Sequence, residues 1–318
     1  MNLEKYQYFF VTLDPLHIGT GGYRLGRVDN TIVREPGTNL PKVPGTSLHG
    51  AIRHAAARRY GKIESAGQDP KGTSIEDPVI YTFGSGESGG FNAGVVTITD
   101  AEIFLFPITS QHGPVWITTF RLLKDMGFNP KKSPSKCDNV IISAGLECVK
   151  DKFPLGWLLL DVESHDMDIN LLNNADEMPS SLKEAFGRAV IVHEDIFSEL
   201  VNSALEVRTS VAINPETGAA EPGALFTYEA IPRATFLKFD VIINDYHENG
   251  PWPVVKGKNG ETLNWDGPKN VVEDGCQLLE YLGIGGMTTR GFGRIKLLKN
   301  FSQNLSETNN GLGDEYGV

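Results

Sequence analysis

Three consecutive segments near the C-terminus constrain this chain more than anything else in it. Helical apolar spacing runs from Val271 to Leu282, five glycines fall between Gly283 and Gly293, and a strand-like run, Arg294 to Leu298, follows. A dinucleotide fingerprint has a strand before its glycines and a helix after them. The order here is the reverse, so a Rossmann reading is excluded. Glycines let a backbone approach a phosphate or turn tightly, and Arg290 and Arg294 add positive charge. RNA contact and a plain helix-to-strand turn account for the loop equally well on local grounds.

Upstream, Tyr6 to Leu13 (YQYFFVTL) is aromatic and β-branched and reads as a strand. It runs into a glycine-rich stretch, His17 to Gly26, that must be loop. Thr46 or Ser47 can cap a helix over Leu48 to Tyr60, whose buried stripe is Leu48, Ile52, Ala55 and Ala56. Gly61 to Gly94 reads as a long excursion. Val95 to Ile98 and Ile103 to Ile108 read as strands joined at Asp100, and Pro114 to Met126 as a helix. Asn129 to Asp138 reads as a polar loop, Ser180 to Phe186 and Asp195 to Ala204 as short helices, and Phe236 to Ile243 as a strand. The order expected is strand, helix, two strands, an irregular insertion, helix, glycine loop, strand. That is an α+β fold on the ferredoxin-like or RRM-like plan, with large insertions. One domain over 1–301 is expected, with insertions at about 61–94 and 127–235 and a disordered tail at 302–318.

Charge and cysteines bound the function. The formal net charge is −11, but a sum does not describe the local field. No acid occurs from Pro36 to Ile63, where Lys42, Arg53, Arg58, Arg59 and Lys62 lie beside His49 and His54. Acids gather in the middle, from Asp161 to Glu206. His49 and Arg53 are four apart and share a helix face. Arg58 and Arg59 can complement the dipole at the helix C-terminus. Cys137, Cys148 and Cys276 are scattered without metal-ligand spacing, as expected of a reducing cytoplasm. No signal peptide or membrane span is expected.

The motifs then point to a family. LGIGGMTTRGFGRI (Leu282 to Ile295) resembles the signature glycine loop of RAMP proteins. PLHIGTG (Pro15 to Gly21), LGRVDNTIVRE (Leu25 to Glu35) and LPKVPGTSLHGAIR (Leu40 to Arg53) resemble the backbone RAMPs of type III CRISPR effectors. EVRTSVAINPETGAAEPGALFTYEAIP (Glu206 to Pro232) is similar to the thumb of the Cmr-complex backbone, which is type III-B. Where the family often has lysine, this chain has His49, largely neutral at pH 7.

The resemblance implies a subunit that assembles head to tail along a CRISPR RNA. Small helical Cmr subunits lie alongside, and a large polymerase-like subunit sits at the foot. It implies a thumb β-hairpin over about 208–229, from Arg208 to Glu229, that flips nucleotides out of the guide–target duplex. It also implies cleavage of single-stranded target RNA beside each flip, with a divalent metal, Mg²⁺ or Mn²⁺. The matching catalytic residue is Asp29, which would hold metal only with target RNA bound. Guide contacts are expected from His17, Lys42, Ser47, His49, Arg53, Arg290 and Arg294. Phe226, Tyr228 and Glu229 lie in the expected thumb, where an aromatic could stack on a base or simply pack in the core. His17 could touch phosphate or be satisfied by backbone. Two alternatives stand beside this reading: a non-catalytic scaffold or Csm-type (III-A) backbone, and a CRISPR-RNA processing endoribonuclease.

Overall fold

A computed structural model describes residues 2–21, 28–67, 77–86, 92–146, 149–165, 167, 169–171, 178–245, 255–256, 262–263, 267–298 and 303–304. Leu25 to Arg27, parts of 61–94 and residues 305–318, on which expectations were placed, lie outside them.

The first strand, β1 (Asn2–Thr12), is buried on both faces from Tyr6 to Thr12. Side chains alternate sides along a strand, so Tyr6, Tyr8 and Phe10 enter one apolar cluster and Phe9 and Val11 another. Burial on both faces is why YQYFFVTL carries aromatic residues at four of its eight positions. A short β2 (Lys42–Val43) leads through Pro44 into α1 (Gly45–Arg59). The helix starts three residues earlier than expected. Pro44 is the N-cap, and neither Thr46 nor Ser47 caps. Asp100 Oδ1 instead accepts from the Gly45 N–H at 2.7 Å, satisfying one of the donors a helix start leaves free. After α2 (Pro78–Phe83), capped by Asp77, β3 (Gly84–Ser85) pairs with β4 (Asn92–Ala93). The two expected strands are β5 (Val96–Ile98) and β6 (Ala101–Ser110).

The insertion is regular, contrary to expectation. The first half of the helix expected over Pro114 to Met126 is a strand, β7 (Gly113–Thr119), because Val115, Ile117, Thr118 and Thr119 are β-branched and suit a packed sheet. Only α3 (Phe120–Asp125) is helical, capped by the Thr119 hydroxyl. There follow β8 (Phe128–Pro130), β9 (Asn139–Ile142), β10 (Lys152–Leu155), β11 (Leu158–Ser164), β12 (Ile169–Leu171), α4 (Ser180–Gly187), β13 (Ala189–Val192) and α5 (Glu194–Ser203). β6, β7, β13, β9, β11 and β10 are neighbours in that order, and β10 pairs back onto β6. The ring so formed is barrel-like.

Next comes a hairpin outside that sheet, β14 (Glu206–Ile213) with β15 (Ala220–Ala230). Its turn is made by Asn214 Oδ1, which accepts from the N–H groups of Glu216 and Thr217. The chain then returns as β16 (Phe236–Asp245), antiparallel to β1 from Val11↔Phe236 to Asn2↔Asp245. β17 (Val255–Lys256) pairs with β18 (Thr262–Leu263). α6 (Pro268–Leu282) packs beside α1 in the same core, through Val271, Val272 and Leu279. β19 (Ile295–Leu297) and β20 (Gln303–Asn304) both pair with β1, so strand structure passes the expected tail boundary at 302.

The central order is β6–β16–β1–β19, with α1 after β1 and α6 after β16. The two strands expected to be neighbours, β5 and β6, both run along β16 as one kinked strand. The elements from β7 to β15 lie between β6 and β16 along the chain.

Candidate functional site

Five of the expected site residues meet at the base of the hairpin. The segment from Asp29 to Ile32 lies along β15, with a parallel bridge between Asn30 and Tyr228. Asn30 N–H donates to Thr227 O at 3.1 Å, and Glu229 N–H donates to Asn30 O at 3.0 Å. Asp29 Oδ2 accepts from the Thr227 N–H at 2.8 Å and from the Thr227 hydroxyl at 2.9 Å. Asp29's own N–H donates to that hydroxyl at 3.0 Å. These donors, the Thr227 N–H foremost, hold the Asp29 carboxyl below its usual range, so it is ionised at neutral pH. Oδ1 has no partner among the described residues. Beside it, Glu229 is engaged at both oxygens. Oε1 accepts from Arg34 Nη2 at 2.6 Å and Oε2 from the Ile32 N–H at 3.2 Å.

His17 is buried, and its Nδ1 lies 2.6 Å from Glu229 O. Its ring meets Tyr228 edge-on. Tyr228 is also buried, against Phe292, Phe226 and Ala230, with its hydroxyl on Ser210. The core reading therefore holds for His17 and Tyr228 in this conformation, and neither presents a free face to RNA. Phe226 is partly buried in the same cluster.

The glycine loop closes over this region, which favours a turn at two of its glycines. At Gly285, with φ +84°, a Cβ would stand 2.4 Å from His17 O. At Gly293, with φ +87°, it would stand 2.3 Å from Ile284 O. Only glycine fits either position. Arg290 is exposed on this loop. Arg294 is not free: Nε and Nη2 bind Asp14 Oδ2 and Oδ1 at 2.5 and 3.0 Å.

The expected contacts on and near α1 need correction. Arg53 is buried, with Nε donating to Ser65 O at 2.9 Å and Nη2 without a partner among the described residues. Burial lowers the pKa of its guanidinium, opposed by the charge of Asp77. His49 stands edge-on to Phe83 at 5.1 Å, and burial, then Arg53, pushes its pKa down. Their shared face turns toward α2 and the Ile63–Ala66 turn, so neither offers an open charge. Ser47 is half-buried on the first turn. Lys42 is held between Asp100 Oδ2 and Glu35 Oε2, at 2.6 and 2.7 Å, which raises its pKa. The open basic side chains of the acid-free stretch are on the other side. Exposed His54 and Arg58 line a groove of about 580 Å³ with Gly285, Thr288, Thr289 and exposed Tyr281. From the sequence, Arg58 reads only as a complement to the helix dipole. Arg34 lies inside one of the family motifs, but nothing local marks it as the partner of Glu229.

This geometry accompanies a clear relationship. A model of the RAMP superfamily matches residues 9–296. The chain belongs to the RAMP superfamily. Along 95% of its length and 98% of the relative's, this RAMP protein is 26% identical to the CRISPR system Cmr endoribonuclease Cmr4 of Pyrococcus furiosus. A shorter match, 34% identity over 91 residues, links 28% of it to 41% of the Cms endoribonuclease Csm3 of Enterococcus italicus. Among solved structures, a chain of type III-B Cmr-beta bound to cognate target RNA is similar, with a TM-score of 0.61 and 18% identity. It covers 95% of this chain and 99% of that one. Oligomeric Cmr4 from Pyrococcus furiosus gives 0.56 at 19% identity, again covering 95% and 99%. These structures share the mixed α+β fold with its barrel-like sheet.

Proposed function

We propose that the chain is a CRISPR-RNA-binding backbone subunit of a type III-B effector that cuts complementary target RNA at regular intervals. Similarity to Cmr4 over nearly the whole of both chains supports the assignment. The observation that carries cleavage is the Asp29 carboxylate, ionised, fixed at one oxygen and open at the other, at the base of an exposed hairpin. In this reading β6–β16–β1–β19 with α1 and α6 is a ferredoxin-like palm, and β14–β15 is the thumb. Copies stack head to tail on the guide, with small helical subunits alongside and a large polymerase-like subunit at the foot, in the cytoplasm. Among the described residues no helix is long and apolar enough to cross a membrane.

RNA cleavage of this kind joins the 2′-oxygen to the adjacent phosphorus and breaks the bond to the 5′-oxygen. It leaves a cyclic phosphate on one product and a 5′-hydroxyl on the other. A carboxylate whose pKa lies below the usual range is a weak proton acceptor at neutral pH. Its role is that of a fixed anion, accepting a hydrogen bond from the 2′-hydroxyl and aiming its oxygen at phosphorus. The donors present do not build a resident divalent-metal site. Among the described residues no three His, Cys, Asp or Glu side chains gather to hold one, and Asp29 offers one open oxygen. Mg²⁺ or Mn²⁺ would need RNA phosphates and water for most of its shell. Guide RNA contacts are assigned to His54, Arg58 and Arg290, the open basic groups beside the glycine loop.

The test is Asp29→Asn in a reconstituted complex, assayed for guide binding, target binding and cutting. Cutting is expected to disappear while both binding steps persist. Undiminished cutting would leave a non-catalytic scaffold, the second reading.

A further inference from the structure

The Asp29 carboxylate does not stand alone at the hairpin base. Among the described residues, Thr227 gives its Oδ2 two donors and accepts from its N–H, and the aspartate's own backbone N–H adds to the carboxylate's donors. The Thr227 N–H would be supplied by any residue but proline. The hydroxyl does more. Its proton goes to Asp29 Oδ2 at 2.9 Å, while its oxygen accepts from the Asp29 N–H at 3.0 Å. A single Oγ therefore bridges the backbone and the carboxylate of the same aspartate. That fixes both where Asp29 sits and how its side chain is turned. Neighbouring bonds hold the frame: Asn30 pairs with Thr227 and Glu229 through the backbone, and Glu229 takes Ile32 and Arg34.

We infer that Thr227 is a positioning residue for target cleavage: its hydroxyl and N–H hold the Asp29 carboxylate by Oδ2 and leave Oδ1 to meet the RNA. This rests on the reading of Asp29 as the cleavage residue. Because Thr227 belongs to β15, the placement of the carboxylate is tied to the seating of the hairpin. A hairpin displaced from segment 28–32 would release it. Asp29 and Thr227 are 198 positions apart, so the fold alone brings them together.

Thr227→Val keeps the shape and the N–H and removes the hydroxyl, whereas Thr227→Ser keeps the hydroxyl. In the assembled complex Thr227→Val is expected to slow single-turnover cutting on the order of 10-fold or more, as misplacement of a reacting group does. Target affinity should be unchanged, and Thr227→Ser should restore the rate. The second readout needs no activity. In the free chain, carbon NMR of the Asp29 carboxyl should titrate at higher pH in Thr227→Val than in wild type. Hydrogen bonds to the ionised form are what lower that pKa, so removing one raises it. The acid limb of the cutting rate should move the same way. Wild-type cutting by Thr227→Val beside an inactive Asp29→Asn overturns the inference, as does an unmoved titration. If Asp29→Asn itself cuts normally, the cleavage reading falls with it. A raised titration in Thr227→Val would then mark Thr227 as a structural anchor only.

Discussion

Two antiparallel pairs of similar length, β1 with β16 and β14 with β15, show opposite uses of a β-ribbon. In β1 both faces are covered, and Tyr8, Phe9 and Phe10 are 1% exposed or less. In the hairpin the apolar positions Val207, Val211, Ile213 and Leu225 are 39–65% exposed. Its attachment is confined to the base, where Tyr228 and Ala230 pack on Phe292 and Thr227 and Glu229 bind segment 28–32. A ribbon buried on both faces stabilises the fold. A ribbon anchored at one end and open along the rest is available to other molecules, and exposed apolar residues grouped in this way mark contact surfaces.

The largest effect should come from the buried ribbon. Phe9→Ala is expected to cost about 3–5 kcal/mol of stability in denaturant unfolding, since it empties a packed site. Leu225→Ala should stay within about 0.5 kcal/mol. A matching loss at Leu225 would mean that the hairpin is packed after all. An intermediate effect is expected from shortening the hairpin across Pro215 to Pro222. Unfolding should be unaltered, while the regular spacing of cuts in target RNA is disturbed. Normal spacing at a normal rate would remove the hairpin from the cleavage apparatus. The smallest effect separates two of the three arginines of α1, Arg58 and Arg53. Arg58→Ala should lower the slope of single-stranded RNA binding on a log–log salt plot by roughly 0.7 for each phosphate it ceases to neutralise. Arg53→Ala should leave the slope alone and cost about 1–3 kcal/mol of stability, because Ser65 O loses its buried donor. A slope change at Arg53 instead would show that α2 and the Ile63–Ala66 turn open on RNA.

Much of the central sheet and its two helices was legible because the signals are local. Aromatic density marked β1 and apolar spacing marked α6. The barrel-like insertion was misread where β-branched residues stood between helix and strand propensity. Val115 to Thr119 became a strand through pairing with β6 and β13, which no local window contains. The site was legible only as a set of names. Asp29 was identified by resemblance, and for His17 and Tyr228 the contact and packing readings both stood open, since burial depends on what folds over a residue.

By itself the sequence determined the order of elements outside the insertion, the glycine loop between α6 and β19, and the presence of cations in an acid-free stretch. The reason is that strand and helix periods, and the φ angles only glycine adopts, act over a few residues. Only the tertiary structure decided which cation is open, Arg58 rather than Arg53, because a helix face is exposed or covered by distant elements. It alone decided that Thr227 grips Asp29 and that Glu229 is held by Arg34, 195 positions away. Hydrogen bonds depend on distances of about 3 Å, and nothing along the chain records which residues the fold brings that close.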